Sequence, residues 1–435
     1  MMARNTFCGS AAHAINRRGF LGGIAAAGAA VAADMTALNA LAAPGVNGAL
    51  KKTQKRIILL WLAGGASQLE TWDPKPGAPT GGPFRSIQTD VPGLRISELM
   101  PKMAARMKTT CLIRGLNTKN GDHGSAAQTM MRGRRDEAAL RYPDLGAVVA
   151  REMGRADSKV PDYVTFYTQT EGRSMAPGDA GFLGSRYAPM ELTTSNYPEF
   201  IKKLDGITDL DHQERGELRD LLGKQFGRGR SSETMSSQNE AYQRVRGIMA
   251  SEKLFDITQE PQKVRDRYGP TQFGEQVLIA RRLVEAGVPF VRVGRAWWDS
   301  HGQNFETHQE MVPELDHVMA TLIDDLGERG MLDDVMVITL SEFGRTPGIN
   351  ASLGRDHFAS AWSSTITGCG IKRGSVYGKT DPKGQTVVSE EADAGSLFAT
   401  IYSALGLDPD KNYQVGSRPI PLVNPGVHPI SAVLQ

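Results

Sequence analysis

The sequence predicts an α/β protein built on a doubly wound, mostly parallel sheet. Three observations carry that expectation. Residues 57–63, 288–293 and 335–340 each read as a short strand, the first a continuous apolar run of the kind buried on both faces and the third a β-rich apolar buried run. Amphipathic helical stretches stand before and between the last two, at 272–286 and 307–329. Strand–helix–strand alternation of this kind argues a parallel sheet with helices on its faces.

Each element can be justified in turn. Ile57–Ala63 is continuously apolar, too short to span a bilayer, and is ended by Gly64-Gly65. The loop that follows, Ala66–Pro76, is polar and contains Gln68, Glu70 and Asp73. Residues 98–107 have helical spacing, with Leu99, Met103 and Met107 on one face. A second strand is expected at 109–114, then the loop Asn120–Ser125, then a helix to Arg132 closed by Gly133. Residues 155–265 are more polar and less regular and predict a partly helical insertion or cap over one sheet edge, with helical pieces at 213–226 and 239–255. In the helix at 307–329, Met311, Leu315, Val318, Met319, Leu322, Ile323 and Leu326 keep one apolar face, and the strand 335–340 follows Gly330. His308 on this helix is expected to face solvent, and His317 to sit on the helix surface. A last amphipathic helix covers 394–407.

Composition bounds the function. The 435 residues are 40% hydrophobic and 23% charged, an ordinary globular balance. Asn16-Arg17-Arg18-Gly19-Phe20-Leu21 resembles a twin-arginine export signal, followed by an uncharged Gly/Ala run to Ala33 and a small-residue cleavage site at Ala40-Leu41-Ala42. The expected organisation is a signal peptide at 1–42, a linker at 43–56 and a single α/β domain at 57–430, in a periplasmic or otherwise extracytoplasmic protein. Loss of the leader removes three arginines and one aspartate and takes the formal charge from +2 to 0, which gives no electrostatic case for nucleic acid or an anionic membrane. The leader's apolar run is too short and too mild for a stable membrane span. Cys8 leaves with the leader. Cys111 and Cys369 remain, in a compartment that permits pairing, and no C-x-x-C pattern occurs.

Three strand ends carry polar chemistry. The first gives Gln68, Glu70 and Asp73, the second Asp299 and His301, the third Glu342, with Asp356 and His357 one loop later. Strand C-termini form the ligand crevice of open α/β sheets. Carboxylates and imidazoles are ligands for divalent metals of the zinc and manganese class. His123 is a candidate metal ligand or general acid/base. Arg345 either pairs with Glu342 or clamps an anionic oxygen. Trp297-Trp298 reads as core filler or as a stacking surface for a sugar-like ligand.

Gly64–Gln68, Asp73–Pro76, Trp298–Gly302, Ser341–Pro347 with Asn350, Gly354–His357 and Gly374–Gly378 together resemble the bacterial family called domain of unknown function 1501, over about residues 50–430. That family is similar in fold to the alkaline phosphatase and sulfatase superfamily, so the resemblance implies an alkaline-phosphatase-like sheet and usually two metals at the strand ends. It also implies a Ser, Thr or modified Cys nucleophile. Asp299, His301 and His357 match one metal site. Glu342 stands where the second site has an Asp, Phe343 where it has a His, and Gly64-Gly65 where it has a further Asp. Ser125 is the hydroxyl nearest the nucleophile position, and neither cysteine has the setting of a formylglycine sulfatase. The resemblance therefore implies a hydrolase or transferase for a phosphate or sulfate ester, on a small molecule or a polysaccharide. It would use a divalent metal ion (zinc, manganese or calcium) held by Asp299, His301, Glu342 and His357, with His123, Ser125 and Arg345 as catalytic residues. The alternative is a non-catalytic binding protein that keeps the fold with a degenerate metal site.

Overall fold

The computed structural model describes residues 54–435, apart from 156–157, 159, 167–168, 171–172, 175–177, 193–195, 199–205, 228–246, 248 and 250. The segments expected as an export leader (1–42) and most of a linker (43–56), and most of the helical piece expected at 239–255, lie outside the described residues.

Nine strands form the main sheet: β1 (Arg56–Leu62), β2 (Thr110–Asn117), β3 (Tyr163–Phe166), β4 (Met190–Leu192), β5 (Phe290–Arg295), β6 (Val335–Leu340), β7 (Trp362–Thr367), β8 (Val376–Tyr377) and β9 (Ala392–Asp393). Their order is β8-β2-β7-β6-β1-β5-β3-β4, with β9 also paired to β2. All pairings are parallel except those of β7, which runs antiparallel to β6 and to β2. The fold is thus α/β with a mostly parallel sheet. β1 and β6 are buried at every position, as their uninterrupted apolar sequence requires.

The helices are α1 (His123–Arg132), α2 (Leu145–Met153), α3 (Asp209–Gly227), α4 (Gln272–Glu285), α5 (Asn304–Glu328) and α6 (Ala394–Ala404). Side chains alternate across the sheet with period two. Ile58, Leu60 and Leu62 join one core with Val277 and Leu283 of α4 and Leu315 and Leu322 of α5. Ile57, Leu59 and Trp61 join the other with Met130 of α1, Val148 of α2 and Leu397 of α6. Each such side chain stabilises the fold by about 1.5–3 kcal/mol when fully buried. The three central strands are therefore held rigidly from both sides.

Register decides where the site forms. Trp61 lies opposite Leu340 of β6 and Gly294 of β5, so β1, β5 and β6 end at one level and discharge their loops on the same rim.

Some expectations change. The segment 155–265 does hold a helix, α3, but it also supplies β3 and β4, which extend the sheet beyond β5. Instead of one helix over 98–107 there is a single turn at Pro101–Ala104 and a 3-10 turn at Met107–Thr109. His308 does not face solvent: it is fully buried, accepts the Ser67 N–H on Nε2 (3.0 Å) and donates from Nδ1 to Asn304 O (2.8 Å). Burial pushes its pKa down to about 4, so it is neutral. Cys111 and Cys369 are buried and unpaired, and burial pushes their thiols up to about 11 and about 12. No helix among the described residues is long and apolar enough to cross a membrane.

Candidate metal centre

The rim gathers residues from four loops around the carboxylate of Asp299. After β5 the chain passes Trp297, 57% exposed, and the fully buried Trp298, then reaches Asp299, which is 8% exposed. Gly64, just past β1, has φ +109, and a Cβ there would lie 2.5 Å from the Asp299 nitrogen. Gly65 has φ +91, and a Cβ would lie 2.9 Å from the Phe343 ring. The two glycines are where they are because the β5 and β6 loops press against this turn.

Three imidazoles approach Asp299 through Nε2. His123 is 3.1 Å from Oδ2, and His301 and His357 are each 3.2 Å from Oδ1. The Nε2 atoms of His301 and His357 are 2.9 Å apart. Every Nδ1 is engaged on the far side: His123 with Glu342 Oε1 (2.8 Å), His301 with Asp356 Oδ1 (2.8 Å) and His357 with the Gly121 carbonyl (2.7 Å). Phe343, fully buried, stacks on His357 (centroids 4.4 Å, 30° between planes) and packs against His123 at 4.9 Å.

α1 presents His123 because Asp122 caps it, accepting from the Ser125 N–H (3.0 Å) and the Ser125 hydroxyl (2.8 Å). Ser125 also meets Asn120 Nδ2 at 2.6 Å and is exposed, so its hydroxyl serves the helix cap. Glu342 lies inward of His123. Its Oε1 accepts the Gly64 N–H (2.9 Å) as well as His123, and its Oε2 accepts the Ser341 hydroxyl (3.1 Å).

Arg345 is fully buried. Its guanidinium donates to Asp299 Oδ1, to the carbonyls of Gly64 and Gly65, and to that of Arg355. It pairs with Asp299, not with Glu342, and it ties together the turn after β1, the β5 loop and the strand pair Gly344–Arg345 with His357–Phe358. Glu70 and Asp73 stay out of the cluster. Glu70 pairs with buried Arg355 (2.8 Å), and Asp73 is held by Lys75 (2.9 Å) and Thr380.

The charges fit this arrangement. Burial opposes protonation of His123, but hydrogen bonds and attraction from Asp299 and Glu342 outweigh it and raise its pKa to about 9. His301 on one oxygen, against a small opposing effect of burial, holds the Asp356 carboxyl below its usual range. Backbone strain concentrates here too. Among the described residues five non-glycines have positive φ, and four of them, Lys119, Trp297, Gln303 and Leu353, lie on the loops that carry His123, Asp299, His301 and His357. Such residues cost about 1–3 kcal/mol each and cluster at functional sites.

The donor set suits a divalent cation. One donor atom each from His123, Asp299 and His357 lie within 4.8 Å of one another. Histidines that hold metals typically donate the other ring N–H to a carboxylate or carbonyl, which is the arrangement of all three rings. Sequence reasoning brought Asp299, His301, Glu342 and His357 to one rim, where the structure also has them. His123, expected as a metal ligand or general acid/base, reaches Asp299 directly, whereas Glu342, expected as a ligand, lies behind it. The adjacency of Asp122-His123 to a helix start was the available signal.

No curated protein matches the sequence. Among solved structures the chain is similar to PsFucS1 sulfatase from Pseudoalteromonas sp. (12% identity, TM-score 0.41, 82% of this chain and 69% of that one). It is also similar to the phosphonate monoester hydrolase of Agrobacterium radiobacter (14%, 0.34, 83% and 75%) and to a TAB5 alkaline phosphatase mutant (11%, 0.35, 82% and 99%). Residues 54–434 match the family described as "Protein of unknown function (DUF1501)", and the chain belongs to that family.

Proposed function

We propose that the protein is an exported, metal-dependent hydrolase or transferase acting on a phosphate or sulfate ester. One observation carries the reading: three imidazoles, each anchored through Nδ1, converge through Nε2 on a single buried carboxylate at the strand C-termini. His123, Asp299, His301 and His357 would hold the cation. When bound, a divalent cation supplies Lewis-acid polarisation of the ester oxygen and charge stabilisation in the transition state.

The chain's own groups do the rest. To hold a cation, His123 would give up its Nε2 proton and keep Nδ1–H on Glu342. Arg345 holds Asp299 in place, and being sealed from solvent it acts as a positioning group and not as a clamp on substrate. Hydrogen bonds from the Ser125 N–H and hydroxyl hold the Asp122 carboxyl below its usual range. The Ser125 hydroxyl is engaged in the cap of α1 with Asp122 and Asn120, so in the hydrolase reading attack falls to water: its oxygen bonds to the phosphorus or sulfur, the bond to the ester oxygen breaks, and the water's proton passes to that oxygen, which leaves as the alcohol.

A second reading, a non-catalytic binding protein, is favoured by Arg345, whose buried guanidinium is engaged with Asp299 and three carbonyls and does not face a substrate. One experiment separates them: metal analysis of the mature protein, then hydrolysis of generic aryl phosphate and sulfate esters. The enzyme reading expects bound metal and turnover, both lost in His301→Ala and His357→Ala. Tight metal binding without turnover on any ester leaves the binding protein. Export by the twin-arginine route is tested by fractionation: an Arg17→Lys/Arg18→Lys chain found equally in the periplasm would contradict it.

A further inference from the structure

We propose that the dipeptide Glu342-Phe343 is the positioning device of a single-cation centre and not a remnant of a second cation site. The inference rests on the metal reading above and goes beyond it.

Neither residue is available as a ligand. Glu342 is 2% exposed; its Oε1 accepts from the Gly64 N–H and His123 Nδ1, and its Oε2 lies 3.1 Å from the Ser341 hydroxyl, whose shorter bond goes to the Leu62 carbonyl (2.8 Å). Phe343 has no donor atom. What the pair does is hold rings. Glu342 fixes which nitrogen of His123 faces Asp299. Phe343 sets the tilt of both His357, stacked on it, and His123, packed at its side. One dipeptide at the end of β6 therefore governs two of the three Nε2 atoms. Its own position is fixed in turn by the Thr118 hydroxyl, which donates to the Glu342 carbonyl (2.8 Å) and accepts from Trp362 Nε1 (3.0 Å).

The surroundings leave no place for a second cation. The turn Gly64-Gly65 carries no side chain, and a Cβ on Gly65 would meet the Phe343 ring at 2.9 Å. The space bounded by the two glycine carbonyls and Asp299 holds the Arg345 guanidinium, a fixed positive charge that repels another. The two buried acids of the loop after β1, Glu70 and Asp73, are committed to Arg355 and to Lys75 with Thr380.

The test is a calorimetric titration of chelator-treated mature protein with zinc, manganese and calcium, comparing wild type with Glu342→Gln and Phe343→Leu. Circular dichroism first establishes that each variant is folded. The near-isosteric Glu342→Gln keeps the inference testable if Phe343→Leu does not fold. The expected result is one equivalent per chain, with affinity reduced roughly 10–100-fold in the variants at unchanged stoichiometry. The visible absorption bands of the cobalt-loaded protein should keep their positions in Glu342→Gln, because the ligands are the same. Two equivalents in the wild type with one lost in Glu342→Gln would overturn the inference while leaving the metal reading standing. So would wild-type affinity in both variants. No binding of any of the three cations by the wild type overturns both.

Discussion

Replacing Arg355 by methionine should destabilise the fold by about 3–5 kcal/mol, the range for removing one member of a buried ion pair. Arg355 is fully buried, and its guanidinium donates to Glu70 Oε1 (2.8 and 3.2 Å), Thr80 O (2.8 Å), Thr346 O (3.0 Å) and Pro347 O (2.6 Å). Glu70 is buried as completely, and its Oε2 has no hydrogen-bond partner among the described residues. Methionine fills part of the volume but leaves that carboxylate uncompensated and three carbonyls without a donor. The cost is therefore mostly desolvation of what stays behind and little of it lost packing. Adding Glu70→Gln removes the orphaned charge, so the double variant should recover about 1–2 kcal/mol relative to Arg355→Met, within the range of coupling for residues in contact. Urea unfolding followed by tryptophan fluorescence measures both. A loss under about 1 kcal/mol in Arg355→Met, or a double variant no more stable than the single one, would refute the reasoning. The same variant should weaken zinc binding, since the Arg355 carbonyl is one of the groups that fix Arg345 and the next residues carry His357.

Two further predictions follow from the site. The folded-state pKa of His123, about 9, lies above the 6.5 of a free imidazole, so its contribution to stability is fully present below pH 6.5 and is lost as the pH rises through 9. In chelator-treated protein that decline should amount to on the order of 2 kcal/mol, allowing for partial solvent screening, and His123→Gln should flatten it; an equal decline in the variant, measured by unfolding at pH 6 and pH 9.5, would contradict the assignment. Gly64→Ala places a Cβ 2.5 Å from the Asp299 nitrogen at φ +109. It should cost about 2–4 kcal/mol and at least about tenfold in zinc affinity, and a variant with wild-type melting temperature and affinity would show that the close approach is wrong.

The central sheet was legible because β1 and β6 are buried at every position, which leaves apolar runs in the sequence, and because β5 keeps Phe290, Val291 and Val293 around a buried Arg292 that bonds to Thr165 (2.7 Å). β7 was not legible. Trp362-Ser-Ser-Thr-Ile-Thr is polar on its face, yet Ser364 and Thr365 are fully buried because their groups bond to Thr339 across the ladder: Ser364 Oγ to the carbonyl (2.6 Å) and Thr365 Oγ1 to the hydroxyl (2.7 Å). Period and hydropathy carry no trace of such satisfaction. The rim residues were legible as strand ends, but the division of labour among them was not. Glu342 and Glu70 are both buried acids near strand ends. One backs an imidazole and the other a guanidinium, and only the fold brings Arg355 to Glu70 from 285 residues away. His308 escapes the sequence for the same reason: its donor, the Ser67 N–H, comes from a loop 241 residues earlier.

The most direct test is a crystal of the mature protein grown with zinc and measured on both sides of the zinc absorption edge. The account predicts one anomalous peak per chain, within bonding distance of Nε2 of His123, His301 and His357 and of an Asp299 oxygen. Zinc found elsewhere, or no peak at the rim in a crystal whose three histidines are ordered, would contradict it.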